Sequence, residues 1–122
     1  MKLKLPERRR FIRIEIPLKV RIEGGGASQE VVTKNISPIG MRFEIDRELD
    51  ASGGLDLSLF IPTSKEPISM KGKVVWQKKV SLEDGAPFDV GLEIVEVADE
   101  NKNTLLKYLC DLLYDSPYKI RL

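Results

Sequence analysis

Ile12-Arg13-Ile14-Glu15-Ile16-Pro17-Leu18-Lys19-Val20-Arg21-Ile22-Glu23 carries the clearest structural pattern in the chain. Every even position is Ile, Leu or Val and every odd position is charged or proline. Side chains alternate sides in a strand, so this period of two describes a β-strand with one face in a core and the other in water. Pro17 falls on the outward set and has no N–H to give, which marks a bend or a break in the ladder. Gly24, Gly25 and Gly26 follow as a turn, and a hairpin is expected after them.

The same alternation recurs downstream. Gln29 to Ile36 reads as a second strand, and Met41, Phe43 and Ile45 set against Arg42, Glu44 and Asp46 read as a third. A loop over 47–54 carries Gly53-Gly54, and its acids Asp46, Glu48 and Asp50 read as solvated, with at most a weak affinity for a divalent cation. Leu55, Leu57, Leu59 and Ile61 form a fourth strand that ends at Pro62. Ile68 to Lys78 and Phe88 to Val97 give two more, separated by a polar loop with Glu83-Asp84-Gly85. Six short antiparallel strands favour a small β-barrel. After Asp99, read as an N-cap, the period becomes helical: Leu105, Leu109 and Leu112, flanked by Leu106 and Leu113, make an apolar stripe that ends near Ser116-Pro117. That stripe is expected to cover an open end or edge of the barrel, with Cys110 as a small, at least half-buried hydrophobe.

The chain has 122 residues, enough for one domain with a single core. With 20 basic and 19 acidic residues its net charge is +1, which argues against a nucleic-acid-binding polycation. Histidine is absent, and with it the commonest general base and zinc ligand, so a binding protein is expected rather than an enzyme. One cysteine precludes an internal disulfide and suits a reducing compartment. No apolar run is long enough for a membrane span or a secretion signal, and a cytoplasmic protein is expected.

Positive charge is local. Glu7 to Arg13 reads ERRRFIR, with Arg8, Arg9, Arg10 and Arg13 in six positions. Arg9 and Arg13 share a side whether the segment is helical (about 6 Å apart along the axis) or extended (about 13 Å). Guanidinium groups grip phosphate or the O6/N7 edge of guanine bidentately and stack on bases. Asn35 to Gly40, NISPIG, adds an amide at Asn35, a hydroxyl at Ser37 and a missing side chain at Gly40. The same residues also suit a plain turn, with Asn35 and Ser37 accepting backbone N–H groups and Gly40 supplying a positive φ.

RxxxR at Arg9 and Arg13 followed by NxSxxG at Asn35, Ser37 and Gly40 resembles the signature of the PilZ domain, a bacterial receptor for the second messenger cyclic di-GMP. Gly72-Lys73-Val74-Val75-Trp76 and Phe88-Asp89-Val90-Gly91-Leu92-Glu93-Ile94 resemble late strands of the same family. The resemblance implies a six-stranded antiparallel barrel with a C-terminal helix: a flexible basic arm over 1–8, then a PilZ domain over 9–118, with the barrel at about 12–97 and the helix at about 99–115. It implies that Arg9 and Arg13 hold a guanine edge and a phosphate, that Asn35 and Ser37 touch other parts of the ligand, and that Gly40 lets it approach. Arg8 and Arg10 add field or further phosphate contacts. Trp76 lies on the ligand side as a stacking surface if Val75 and Phe88 face the core. No cofactor is implied beyond the ligand. Binding would order residues 1 to 12 and change the surface offered to an unidentified protein partner, a separate molecule since no output domain is evident. The alternatives are a PilZ-fold interaction adaptor that binds no nucleotide and a barrel that binds single-stranded nucleic acid.

Overall fold

The computed structural model describes residues 13–24, 27–115 and 119–121. Its elements are β1 (Arg13–Glu15), β2 (Lys19–Gly24), β3 (Ala27–Ser37), β4 (Gly40–Ile45), β5 (Leu55–Phe60), β6 (Ile68–Lys79), β7 (Phe88–Val97), α1 (Asp99–Asp115) and β8 (Lys119–Arg121). Strands run in the order β2-β5-β6-β7-β4-β3, and β3 pairs back with β2, so six antiparallel strands close a barrel as the alternation predicts. β1 and β8 continue outward from β3. The arm expected over 1–8 and the arginines Arg8, Arg9 and Arg10 lie outside the described residues.

The predicted first strand is two strands, parted at Pro17 as its missing N–H requires. β2 lies along the first half of β3, with Lys19 opposite Val32, and β1 lies beside its second half, with Ile14 opposite Ile36. Thr33 stitches the break: its hydroxyl donates to the Ile16 carbonyl at 2.6 Å and accepts the Leu18 N–H at 2.9 Å. At this point β2 has β5 on its other side, whereas β1 has β8. β8 is not expected from sequence, because three residues are too few to show a period.

Inside, Val20, Ile22, Ile36, Phe43, Leu59, Ile68 and Val90 are fully buried and fill the barrel. Helix α1 adds Leu105, Tyr108 and Leu109 to this core, with Leu112 and Leu113 packed against it. Its start is pinned to β6, where the Ser69 N–H donates to the Asn101 side chain at 3.0 Å and the Ser69 carbonyl accepts the Ala98 N–H. Asp99 is the first helical residue rather than the cap before it. Two details of the predicted stripe are corrected. Leu106 is 47% exposed, and Cys110 is exposed rather than half-buried. The helix is rotated so that Tyr108, three residues after Leu105, takes the inward place.

Two irregularities set which side chains face outward near the ends of β3 and β6. β3 and β4 pair Thr33 with Phe43 and then Asn35 with Arg42, leaving Lys34 as an extra residue. β6 and β7 pair Val74 with Leu92 and then Trp76 with Gly91, leaving Val75 extra. Each bulge shifts the side-chain alternation by one, so residues beyond it change faces.

Candidate functional site

A bulge explains why the motif faces outward. Thr33 and Asn35 are two apart and would share a face of a regular strand. With Lys34 inserted, Thr33 turns inward beside Phe43 while Asn35 and Ser37 turn outward, and Ile36 between them enters the core. Pro38 and Ile39 form the turn after Ser37, and Gly40 returns opposite it. The Ile39 N–H donates to the Ser37 hydroxyl at 3.3 Å, and the Ile39 carbonyl accepts from Ile94 N–H at 2.8 Å, tying the turn to β7.

The strand registers then assemble two neighbouring rows across the outside of the barrel. Trp76, Gly91, Arg42 and Asn35 stand side by side on β6, β7, β4 and β3. Next to them run Glu93, Gly40 and Ser37, and Ile14 opposite Ile36 brings Arg13 of β1 alongside Ser37. Between these residues lies a cleft of about 430 Å³, lined also by Ile39, Met41, Val75 and Leu92. This volume is within the usual range for a small-molecule site. Its floor is low because two central outward positions are glycines. A Cβ on Gly91 would stand 2.5 Å from the Trp76 Cε2, so the indole lies across the place a side chain would take. A Cβ on Gly40 would run into the Leu92 carbonyl oxygen. Gly40 is therefore glycine for close approach of β4 to β7. It does not have the positive φ expected of a turn, which among the described residues belongs to Gly85 alone.

Five of the residues singled out from sequence, Arg13, Asn35, Ser37, Gly40 and Trp76, meet at this cleft. Asn35 is 8% exposed, and among the described residues its amide makes no hydrogen bond. No buried side-chain nitrogen or oxygen among the described residues lacks a partner, so the Asn35 amide itself opens on the cleft, where its donors and acceptor are available to a ligand. The expected reason for Trp76 facing the cleft needs correction: Val75 does not face the core but is half exposed and lines the cleft too, because it is the bulged residue.

Sequence reading missed a charge pair at this site. Arg42 grips Asp89 bidentately, Nε donating at 3.0 Å and Nη2 at 2.5 Å. Asp89 is buried, and its carboxyl is held below the usual carboxylate range chiefly by the Arg42 hydrogen bonds, with burial opposing and the charges of Arg42, Lys34 and Lys78 adding. Arg42 is held above its ordinary value by the same bond. Lys34 lies 2.6 Å from Glu44 and 3.8 Å from Asp89. The guanidinium carbon of Arg42 lies over the Trp76 ring, 5.8 Å from its centroid. An acid inside the otherwise apolar Phe88-Asp89-Val90 is the signal that sequence offers for this pair. Among the described residues no group of three or more Cys, Asp or Glu is placed to hold a metal, and in the 47–54 loop the Asp50 carboxylate accepts the Ser52 N–H and hydroxyl.

The barrel's interior is filled by its own side chains, and its outer wall carries a polar cleft edged by arginine. The chain belongs to the PilZ domain family, whose model matches residues 7–110. Solved structures agree on the fold. The Bacillus subtilis inhibitor of motility MotI/DgrA superposes with a TM-score of 0.70 at 20% identity, covering 87% of this chain and 51% of that one. The K. pneumonia MrkH–c-di-GMP complex gives 0.69 at 17%, covering 89% and 54%. The PilZ domain of Escherichia coli YcgR with c-di-GMP gives 0.61 at 13%, covering 87% and 92%. The chain thus spans about half the length of the first two and nearly all of the isolated YcgR domain. A search of curated proteins finds no match. No helix among the described residues is long and apolar enough to cross a membrane.

Proposed function

We propose that this chain is a receptor for cyclic di-GMP and takes it in the outer-wall cleft. The observation that carries the reading is the convergence of Arg13, Asn35, Ser37, Gly40 and Trp76, from four strands, on one cleft. MrkH and the YcgR PilZ domain, which share the fold, were solved with c-di-GMP, and this supports the choice of ligand.

In this reading Arg9 and Arg13 hold a guanine edge and a phosphate, and Arg8 and Arg10 add positive field. The free Asn35 amide and the Ser37 hydroxyl orient the ligand, Gly40 keeps the floor low, and Trp76 offers a ring face. Each bidentate arginine contact and each stacked base supplies about 1–3 kcal/mol, enough for micromolar binding after association costs. Ordering of residues 1 to 12 on the ligand then alters the surface presented to a partner protein. The cleft contacts require no chemistry on the ligand.

Calorimetric titration of the whole chain with cyclic di-GMP tests this, with GTP and single-stranded DNA as controls. Saturable binding to cyclic di-GMP alone is expected, and it is lost in Arg9→Ala and Arg13→Ala while both remain folded. A flat titration would turn the assignment toward an adaptor that uses the barrel without nucleotide. Binding that grows with oligonucleotide length would mark a nucleic-acid barrel.

A further inference from the structure

Arg42 has more to offer than its bond to Asp89. Nε and one N–H of Nη2 are engaged by the carboxylate, which leaves three donors, one on Nη2 and two on Nη1. Among the described residues these make no hydrogen bond. The pair is lopsided in a useful way: the Asp89 side chain is 5% exposed and the Arg42 side chain 39%, so the open side of the bridge is the cationic one and lines the cleft. Asn35 is its cross-strand neighbour on one side, and Trp76 lies under its guanidinium on the other.

We propose that Arg42 is a further ligand-binding residue that reads the O6/N7 edge of one guanine of the ligand, with Asp89 as the positioning residue that holds its fork. The inference rests on the cyclic di-GMP reading above. Two parallel N–H groups match the paired acceptors of guanine, whereas adenine puts an amino donor at the same edge. Holding the guanidinium beforehand matters because a free arginine loses rotamer freedom when it binds. Asp89 removes that loss in advance, and the buried carboxylate does so without touching the ligand. Trp76 limits the tilt of the guanidinium plane.

The test is a cycle that crosses protein variants with ligand variants: cyclic di-GMP and its 7-deaza analogue, in which N7 is replaced by C–H. Affinities come from calorimetry and from the fluorescence of Trp76, the only tryptophan of the chain. The unaltered protein is expected to bind the analogue roughly tenfold more weakly, the low end of a bidentate base contact. Arg42→Gln is expected to narrow that ratio to the part owed to the guanine edge held by Arg9 and Arg13, and Asp89→Asn to narrow it less while remaining folded by thermal melting. Arg42→Lys keeps the charge but lacks the fork. It also is expected to narrow the ratio, and it decides the matter should Arg42→Gln fail to fold. An unchanged ratio between the two ligands in the variants would mean that Arg42 merely ties β4 to β7, and the proposal falls alone. No binding of cyclic di-GMP by the unaltered chain would remove the receptor reading and this proposal together.

Discussion

Thr33 and Asn35 stand two residues apart on one strand, both polar and both nearly buried, at 3% and 8% exposure. The Thr33 hydroxyl is spent on both sides of the Pro17 break, donating to Ile16 and accepting from Leu18. The Asn35 amide has no hydrogen bond among the described residues and opens on the cleft. Burial of a polar group is therefore not one signal but two. Where the fold uses the group, it is structure; where the fold leaves it unused, it is an opening for something else.

Deleting each group in turn puts this contrast at risk most directly. Thr33→Val leaves the Leu18 N–H and the Ile16 carbonyl unpaired in the core and is expected to lower unfolding free energy by about 2–4 kcal/mol in denaturant melts. Cyclic di-GMP affinity of the molecules still folded should stay the same. Asn35→Ala is expected to do the reverse: affinity falls about tenfold by calorimetry, with stability changed by less than about 0.5 kcal/mol. Should Asn35→Ala prove the more destabilising of the two, the distinction is lost.

The two glycines of the floor repeat the contrast at smaller amplitude. Gly40→Ala meets backbone and must part β4 from β7, so about 1–3 kcal/mol of stability is expected to go along with binding. Gly91→Ala meets the Trp76 indole, which can swing away. Its expected signature is a shifted Trp76 emission and weaker binding at nearly unchanged stability.

The smallest effect concerns pH. Asp89 has a depressed carboxyl value in the fold, so its contribution to stability is complete above its ordinary value of 3.8 and fades as pH falls through the folded one. Thermal melts of the native chain and of Asp89→Asn are expected to stay a constant distance apart from about pH 8 to about pH 5 and to converge in stronger acid. A gap that changed near neutral pH would place another titrating group in the clamp.

The strands are legible because each has one wet face, and period two survives in Ile12 to Glu23 even across Pro17. Residues that meet in the cleft stand out because Asn35, Ser37 and Gly40 crowd one hairpin. What sequence hides is long-range. Asp89 stands out only as an acid between Phe88 and Val90, Arg42 sits unremarkably among outward positions of another strand, and only the β4–β7 register joins them. The bulge at Lys34 leaves a trace, since Val31 and Ile36 are both inward but an odd number of residues apart. The bulge at Val75 leaves none, because Val74 and Val75 are chemically alike. In the helix, five leucines fit several phases, and Tyr108 settles which one faces inward.

β1 is three residues long and lies between β3 and β8, with Arg13 opposite Arg121. Chain entering the barrel and chain leaving the helix therefore run along one seam, and Arg13 of that seam lines the cleft. A fluorophore coupled within β8 would lie one strand away from Arg13 at the cleft. A neighbouring domain fused at either end would feel a change at the cleft through a single short strand.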